Sequence, residues 1–322
     1  MIRPLDATGV VELAVLTRSG MIESRHLGAA AVVDSDGTVI RSLGDTSALV
    51  YPRSTLKPVQ AVAMLRASAP LRELQLVLAT ASHCGSPEHL AVVRSMLADA
   101  GLDEGALQCP ADWPLGREFA NELIRESRHP TRLHMNCSGK HAGFLSTSVA
   151  NGWETSDYLD PGHPMQRAVF AAVEDLTREK IEHTGVDGCG APVHAVTLAG
   201  LARAIGHVTG ARDSESATVA SAVRAHPWAI DGRGRANTIV IERLGLIAKL
   251  GAEGVMVMGA PNGVAASVKI LDGSLRAATL VALALLSQVG AVQPDAVTEV
   301  ETETTERVLG GGEPVGELRT SF

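Results

Sequence analysis

Ser54 and Lys57 stand three residues apart in the stretch Tyr51-Pro52-Arg53-Ser54-Thr55-Leu56-Lys57-Pro58-Val59-Gln60. One helical turn puts side chains at that spacing on the same face. A serine hydroxyl at a helix start lies among unpaired backbone N–H groups, and a neutral lysine one turn away can take its proton. These are the parts of a serine nucleophile with a lysine base. Two cysteine-bearing stretches offer different chemistry: Asn136-Cys137-Ser138-Gly139-Lys140-His141 and Asp187-Gly188-Cys189-Gly190. Their thiols are candidate core groups, reactive groups or metal ligands. Arg53, Asn136 and Asp187 lie next to these elements. His83, His134, His141 and His194 invite a Ser-His-Asp reading, but no spacing links them to a serine.

The elements that must hold these residues follow from local patterns. Pro58 fits only near the first turn of a helix, so a helix is expected from about Ser54, with Val59, Val62, Ala63 and Leu65 as its apolar side. Val11–Arg18 alternates as a strand. Ala29–Val33 and Thr38–Ile40 form a hairpin turned by Asp36-Gly37. The apolar segment 74–79 ends in Ser82-His83-Cys84-Gly85, and Ser86-Pro87 caps a helix over 90–98. Further helices are expected at 118–126, 164–176, 198–205, 216–224 and 276–286. Val186–Pro192 is a tight turn, and 226–235 is a loop. Val255–Gly259 and Val264–Ile270 are strands joined at Pro261-Asn262-Gly263, and Val315–Thr320 returns as a last strand. Glu299–Glu306 is acidic and is expected to be a solvated linker. The whole of 1–322 is expected to be one catalytic unit. Its sheet comes from both chain ends, and its helical region covers roughly 54–225.

Composition narrows the function classes. The chain has 322 residues, 45% apolar and 20% charged, an ordinary globular balance. Its net charge of -8 and the lack of a basic stripe argue against nucleic acid or anionic membranes as partners. The polar start Met1–Asp6 lacks the apolar region of a signal peptide, and the longest apolar run, 277–286, is too short to span a bilayer. With four cysteines (Cys84, Cys109, Cys137 and Cys189) a reduced, cytoplasmic protein is expected. Cys84 and Cys109 are read as core thiols. Aromatic residues are only 3%, so alanine, valine and leucine must build the core.

Taken in order, Pro52–Pro58, Ala81–Gly85, Asn136–Gly143, Asp187–Pro192, Arg224–Pro227, Lys249–Val255 and Val268–Gly273 resemble the asparaginase II family, the serine-dependent type of rhizobial inducible asparaginase. The resemblance covers most of the chain. It implies an α/β (α+β) fold, an antiparallel sheet flanked by helices, similar to serine β-lactamases, penicillin-binding proteins and serine glutaminases. It implies hydrolysis of L-asparagine to L-aspartate and ammonia, with Ser54 as nucleophile and Lys57 as base. By the same resemblance Ser82 is a second active-site serine and Lys269 a further catalytic lysine, Cys137, Lys140 and Cys189 hold zinc, and Arg53, Asn136 and Asp187 are expected to hold the substrate's α-carboxylate and α-ammonium groups. A homodimer is expected. Ser86 stands where the family usually has a carboxylate, and Asp231 and Asn237 are unusual in the loop 230–237. The competing readings are a related serine amidohydrolase (a glutaminase or β-lactam hydrolase) and a non-catalytic zinc-dependent binding module.

Overall fold

A computed structural model describes residues 2–322. Strands β1 (Val11–Arg18) and β2 (Met21–Val33) form a hairpin through Ser19-Gly20. Both turn residues have positive φ, 48° and 84°, the requirement of a turn that matches strand twist. The Asp34 carboxylate accepts from the N–H groups of Asp36 and Thr38, both at 2.9 Å, and turns the chain into β3 (Val39–Leu43). After β4 (Leu49–Val50) come a 3-10 turn, Arg53–Leu56, and the helices α1 (Lys57–Arg66), α2 (Glu73–Thr80), α3 (Pro87–Asp99), α4 (Arg117–Arg125), α5 (Ser138–Ala150) and α6 (Pro164–Thr177). A small hairpin of β5 (Thr184–Val186) and β6 (Pro192–His194) precedes β7 (Val196–Thr197), which pairs with β4. Helices α7 (Leu198–Thr209), α8 (Ser214–Ala225) and α9 (Ala236–Leu244) lead into β8 (Ile247–Gly251), β9 (Val255–Gly259) and β10 (Ala265–Ile270). The chain ends with α10 (Ala278–Gln288), α11 (Pro294–Thr304), β11 (Val308–Gly310), β12 (Glu313–Gly316) and β13 (Leu318–Thr320).

The main sheet is antiparallel in the order β13-β1-β2-β10-β9-β8, with β3 on the second half of the long strand β2. Both ends of the chain therefore build it, as the sequence implies. Its two faces are covered differently. Small residues, Ala29, Ala31 and Ser267, face α7, and the Ser267 hydroxyl donates to the Leu198 carbonyl at 2.7 Å. Helix α10 lies against β9, β10 and β13. A contiguous apolar cluster runs from the sheet through α1, α2 and α5–α8, and alanine, valine and leucine dominate it.

Two expectations are revised. The segment 299–306 is not a linker: α11 covers most of it and buries Val297 and Val300 on the side facing α9 and α10. Its acidic residues are the outer face of an amphipathic helix, and two buried valines suffice to hold it. The α-helix expected from Ser54 begins instead at Lys57, with Pro58 in its first turn, and Ser54 lies in the preceding 3-10 turn.

That turn sits on the edge strand β8, and Gly251 makes the approach possible. A Cβ at Gly251 would lie 2.9 Å from the Pro52 carbonyl oxygen and 3.0 Å from the Thr55 methyl. Gly251→Ala must push the turn off the sheet and is expected to destabilise the fold by about 1–3 kcal/mol, the usual cost of overpacking. Urea unfolding measures this, and an unchanged midpoint would show that the turn is not seated there.

Candidate active site

Arg53 opens the turn with φ at +53°, a left-handed conformation uncommon for a residue with a side chain. Thr55 closes it: its backbone N–H and its hydroxyl both donate to the Pro52 carbonyl, at 3.2 and 2.7 Å. Ser54 is thereby left partly exposed just ahead of α1, while Lys57 at the helix start is 1% exposed.

Lys57 Nζ points into a ring of acceptors. It donates to the Ala81 carbonyl, to Ser82 Oγ at 3.0 Å and to Cys137 Sγ at 3.0 Å. Ser54 Oγ is not among these partners. The pairing expected from sequence thus places both residues on one turn but ties the lysine to Ser82. Ser82 itself follows α2 in extended chain, and its N–H donates to the Ile230 carbonyl at 3.0 Å.

A second lysine reaches Ser82 from the other side, and it is not Lys269. Lys249 Nζ donates to Ser82 Oγ at 2.8 Å and to the Leu250 carbonyl at 2.7 Å. Lys269 instead bonds the Glu253 carbonyl and is half-buried. The register explains the difference. Lys249, Val257, Ser267 and Ala31 form one row across the sheet, while Lys269 lies in the neighbouring row with Gly251, Val255 and Ala29. Both lysines share a face, but only the edge strand β8 passes under the serine turn. Lys249 is the residue that the sequence reading overlooked. The signal was present: a lysine inside the apolar run Ile247–Leu250, a position where charge is costly without a purpose. It is 0% exposed. Burial first, and the positive charge of Lys57 second, lower its pKa to about 7.

The expected thiol site also assembles. Cys137, Lys140 and Cys189 are all buried, and Lys140 Nζ lies 2.9 Å from Cys189 Sγ. The two free thiols act on each other by hydrogen bonding, which pushes Cys137 far up and Cys189 far down. Burial alone would lower Lys140, but the Cys189 and Cys137 sulfurs outweigh it and raise it. Beside them His141 Nε2 is buried without a hydrogen-bond partner, while its Nδ1 meets the Tyr158 hydroxyl at 2.7 Å. Two sulfurs and an amine that must give up its proton are donors that fit zinc chemically, and the orphaned imidazole nitrogen lies beside them. Among the described residues no group of three His, Cys, Asp or Glu side chains is placed to hold a metal ion. Burial raises the thiols of Cys84 and, to about 11, Cys109, as expected of core cysteines.

The three expected substrate contacts lie around this centre. Arg53 Nε donates to Asp187 Oδ1 at 2.6 Å, and the Gly188 N–H holds the same oxygen at 2.8 Å. Asp187 Oδ2 lies 3.7 Å from Cys189 Sγ. Asn136 Oδ1 is 3.1 Å from Cys137 Sγ, and its carbonyl accepts from the His83 N–H at 3.1 Å. The turn Ser54–Lys57, the Ser82 segment, the thiols and the Arg53–Asp187 pair therefore meet at one place, drawn from both halves of the chain.

The profile of the L-asparaginase II family matches residues 14–320. The chain belongs to the L-asparaginase II family. That membership makes it an amide-hydrolysing enzyme acting on a small molecule. No curated protein matches its sequence. Among solved structures it is similar to a β-lactamase from Mycobacterium bovis, at 19% identity and a TM-score of 0.44, covering 81% of this chain and 94% of the other. It is also similar to Mglu in its glutamate form, at 14% identity and a TM-score of 0.46, covering 83% of this chain and 62% of the other. No helix among the described residues is long and apolar enough to cross a membrane.

The depressed pKa of Lys249 has a stability consequence. The folded chain sheds this proton near pH 7, while the unfolded chain keeps it to about 10.5. Between those values the unfolded state binds more protons, so stability rises with pH, and the penalty is fully present below about 7. Lys249→Met is expected to unfold at higher urea than the parent at pH 7, with the gain shrinking toward pH 10.5. A variant that retained the parent's pH slope would show that Lys249 is not the buried titrating amine.

Proposed function

We propose that the protein is an L-asparaginase that hydrolyses L-asparagine to L-aspartate and ammonia through an acyl-enzyme on Ser54. The observation that carries this reading is Ser82 Oγ held between Lys57 and the near-neutral Lys249, with Lys57 three residues after the partly exposed Ser54 of a strained turn. Lys57 passes a proton through Ser82 to Lys249 and takes the proton of Ser54 Oγ as that oxygen attacks the side-chain amide carbon. The C–N bond then breaks, the nitrogen takes a proton back from this array and leaves as ammonia, and an ester remains on Ser54. Water attacks that ester, its hydroxyl forming aspartate and its proton returning to Ser54. Arg53 and Asp187 match the α-carboxylate and α-ammonium of the amino acid, and Asn136 offers an amide beside them.

Cys137, Lys140 and Cys189 would hold zinc here, which would supply a Lewis-acid centre for positioning the substrate or polarising its carbonyl. Two further readings are tested with the first. Ser82, touched by two lysines, is the rival nucleophile. A glutaminase or β-lactam hydrolase would use the same groups on a different carbonyl.

Ser54→Ala is expected to abolish ammonia release from asparagine while remaining folded. Mass spectrometry of the parent quenched during turnover should place the acyl group on the peptide containing Ser54. An acyl group on Ser82, or a Ser54→Ala enzyme of near-parent activity, would transfer the nucleophile's role to Ser82. A panel of asparagine, glutamine and a β-lactam separates the substrate readings, and no turnover of any would favour a binding module.

The thiol site predicts about one zinc per chain in the purified protein, lost in Cys137→Ser and Cys189→Ser. Metal analysis checks this directly. A parent protein free of zinc, and whose affinity for asparagine does not change on adding it, would leave only a pair of thiols.

A further inference from the structure

Lys249 lies on β8, the outermost strand of the sheet, where backbone groups have no neighbouring strand to pair with. At Leu250 both outward groups are nonetheless satisfied by side chains. Its carbonyl accepts from Lys249 Nζ at 2.7 Å, and its N–H donates to Asn237 Oδ1 at 2.9 Å. Asn237, on the first turn of α9, is 2% exposed and donates its amide N–H to Asp231 Oδ2 at 3.0 Å. Asp231, 4% exposed, takes Arg235 Nε on its other oxygen at 2.5 Å.

The backbone around Asp231 grips the other member of the pair. The Ile230 carbonyl accepts from the Ser82 N–H at 3.0 Å, and the Asp231 carbonyl accepts from the Cys84 N–H at 2.7 Å. Gly232, at φ +141°, keeps this loop pressed on the Ser82 strand, because a Cβ there would lie 2.6 Å from Cys84 Sγ. One buried loop thus holds Ser82 by its main chain and the Lys249 strand by the side chains Asp231 and Asn237.

We propose that Asp231 and Asn237 are positioning residues that set the Ser82–Lys249 contact: Asp231 orients the Asn237 amide, and that amide fixes the strand end from which Lys249 reaches Ser82. The inference rests on the reading of Ser82 and Lys249 as the proton-transfer pair. The side-chain chemistry makes the clamp directional. A carboxylate at 231 accepts from two donors, Arg235 and Asn237, and the amide at 237 then has its oxygen free for the Leu250 N–H. Asp231→Asn sets an amide N–H against the Asn237 N–H, or turns the 237 amide so that its N–H faces the N–H of Leu250. Asn237→Asp sets two carboxylates together. The exchanged pair, Asp231→Asn with Asn237→Asp, restores every bond with the net charge unchanged: the amide oxygen at 231 faces Arg235, its N–H donates to the carboxylate at 237, and that carboxylate accepts from Leu250.

The test compares the parent, the two single variants and the exchanged pair for kcat and KM on asparagine, for burst acylation by p-nitrophenyl acetate and for Tm. A displacement of Lys249 by about 1 Å should cut kcat and the acylation rate of each single variant by about 10²-fold, with KM nearly unchanged. The exchanged pair should recover most of the loss. Single variants with parental kcat, or an exchanged pair no faster than the singles, would overturn the clamp. Should a single variant fail to fold, the exchanged pair decides alone, by its activity against the parent's. A parent inert to asparagine but acylated by the ester, with the same order among variants, would remove the substrate assignment and leave the clamp standing. A parent inert to both overturns the clamp with the pair it serves.

Discussion

Two buried lysines share one serine hydroxyl, and that contact sets the terms for the rest of the site. Both Nζ atoms bond Ser82 Oγ, at 3.0 and 2.8 Å, so they lie within about 6 Å of each other. At an effective dielectric constant near 20, two unit charges at that separation repel by about 3 kcal/mol, or about two units of pKa. Burial adds to the same side. Burial and the charge of Lys57 together lower Lys249 to about 7. Lys57 has three acceptors, one of them a sulfur, while Lys249 has a hydroxyl and one carbonyl. Nearby carboxylates do not reverse that lowering, because Asp231 is itself matched by Arg235.

This contact demands an unusual convergence of chain segments. Lys57 starts a helix, Ser82 follows another, Cys137 precedes a third and Lys249 lies on an edge strand. Each is brought in by a local device: the strained turn at Arg53, the close approach permitted by Gly251, and the loop 230–235 laid against the Ser82 segment. The turn and the loop are themselves anchored in the apolar core, by Leu56 and Ile230. The core supplies rigidity around them, and its small residues on the α7 face let helix and sheet lie close enough for the segments to meet.

Most of the fold was legible because strands and helices carry their periods locally. The strand β1, the β2–β3 hairpin, the capped helix at Ser86 and the late hairpin all follow from turn residues and alternation. The serine turn, the thiols and Ser82 were legible because their residue types are chemically conspicuous and the ordered motifs bound them to a family. What escaped depended on register and burial. Lys249 and Lys269 look alike in sequence, each a lysine within an apolar strand, and only the order of strands in the sheet decides which one lies beneath the serine. Helix α11 escaped because two valines among acidic residues read as a solvated stretch until a neighbour exists for them to cover. The Asp231–Asn237 pair could be seen only as a departure from the family, since its meaning lies in the unpaired edge of β8.

The geometry around Lys57 also explains why that position takes lysine rather than arginine. Its three partners, the Ala81 carbonyl, Ser82 Oγ and Cys137 Sγ, surround a single point in a fully buried pocket. A compact ammonium with three donors fits that arrangement. A guanidinium directs its donors outward in one plane from a larger head, and would have to displace either Ser82 or the Cys137 sulfur. Lys57 therefore acts as the joint between two parts of the site, since the same nitrogen touches Ser82 and a sulfur of the thiol site. Movement of either part is felt by the other through about 3 Å of hydrogen bond. That coupling places the Ser82 segment and the thiol donor set in one structural unit.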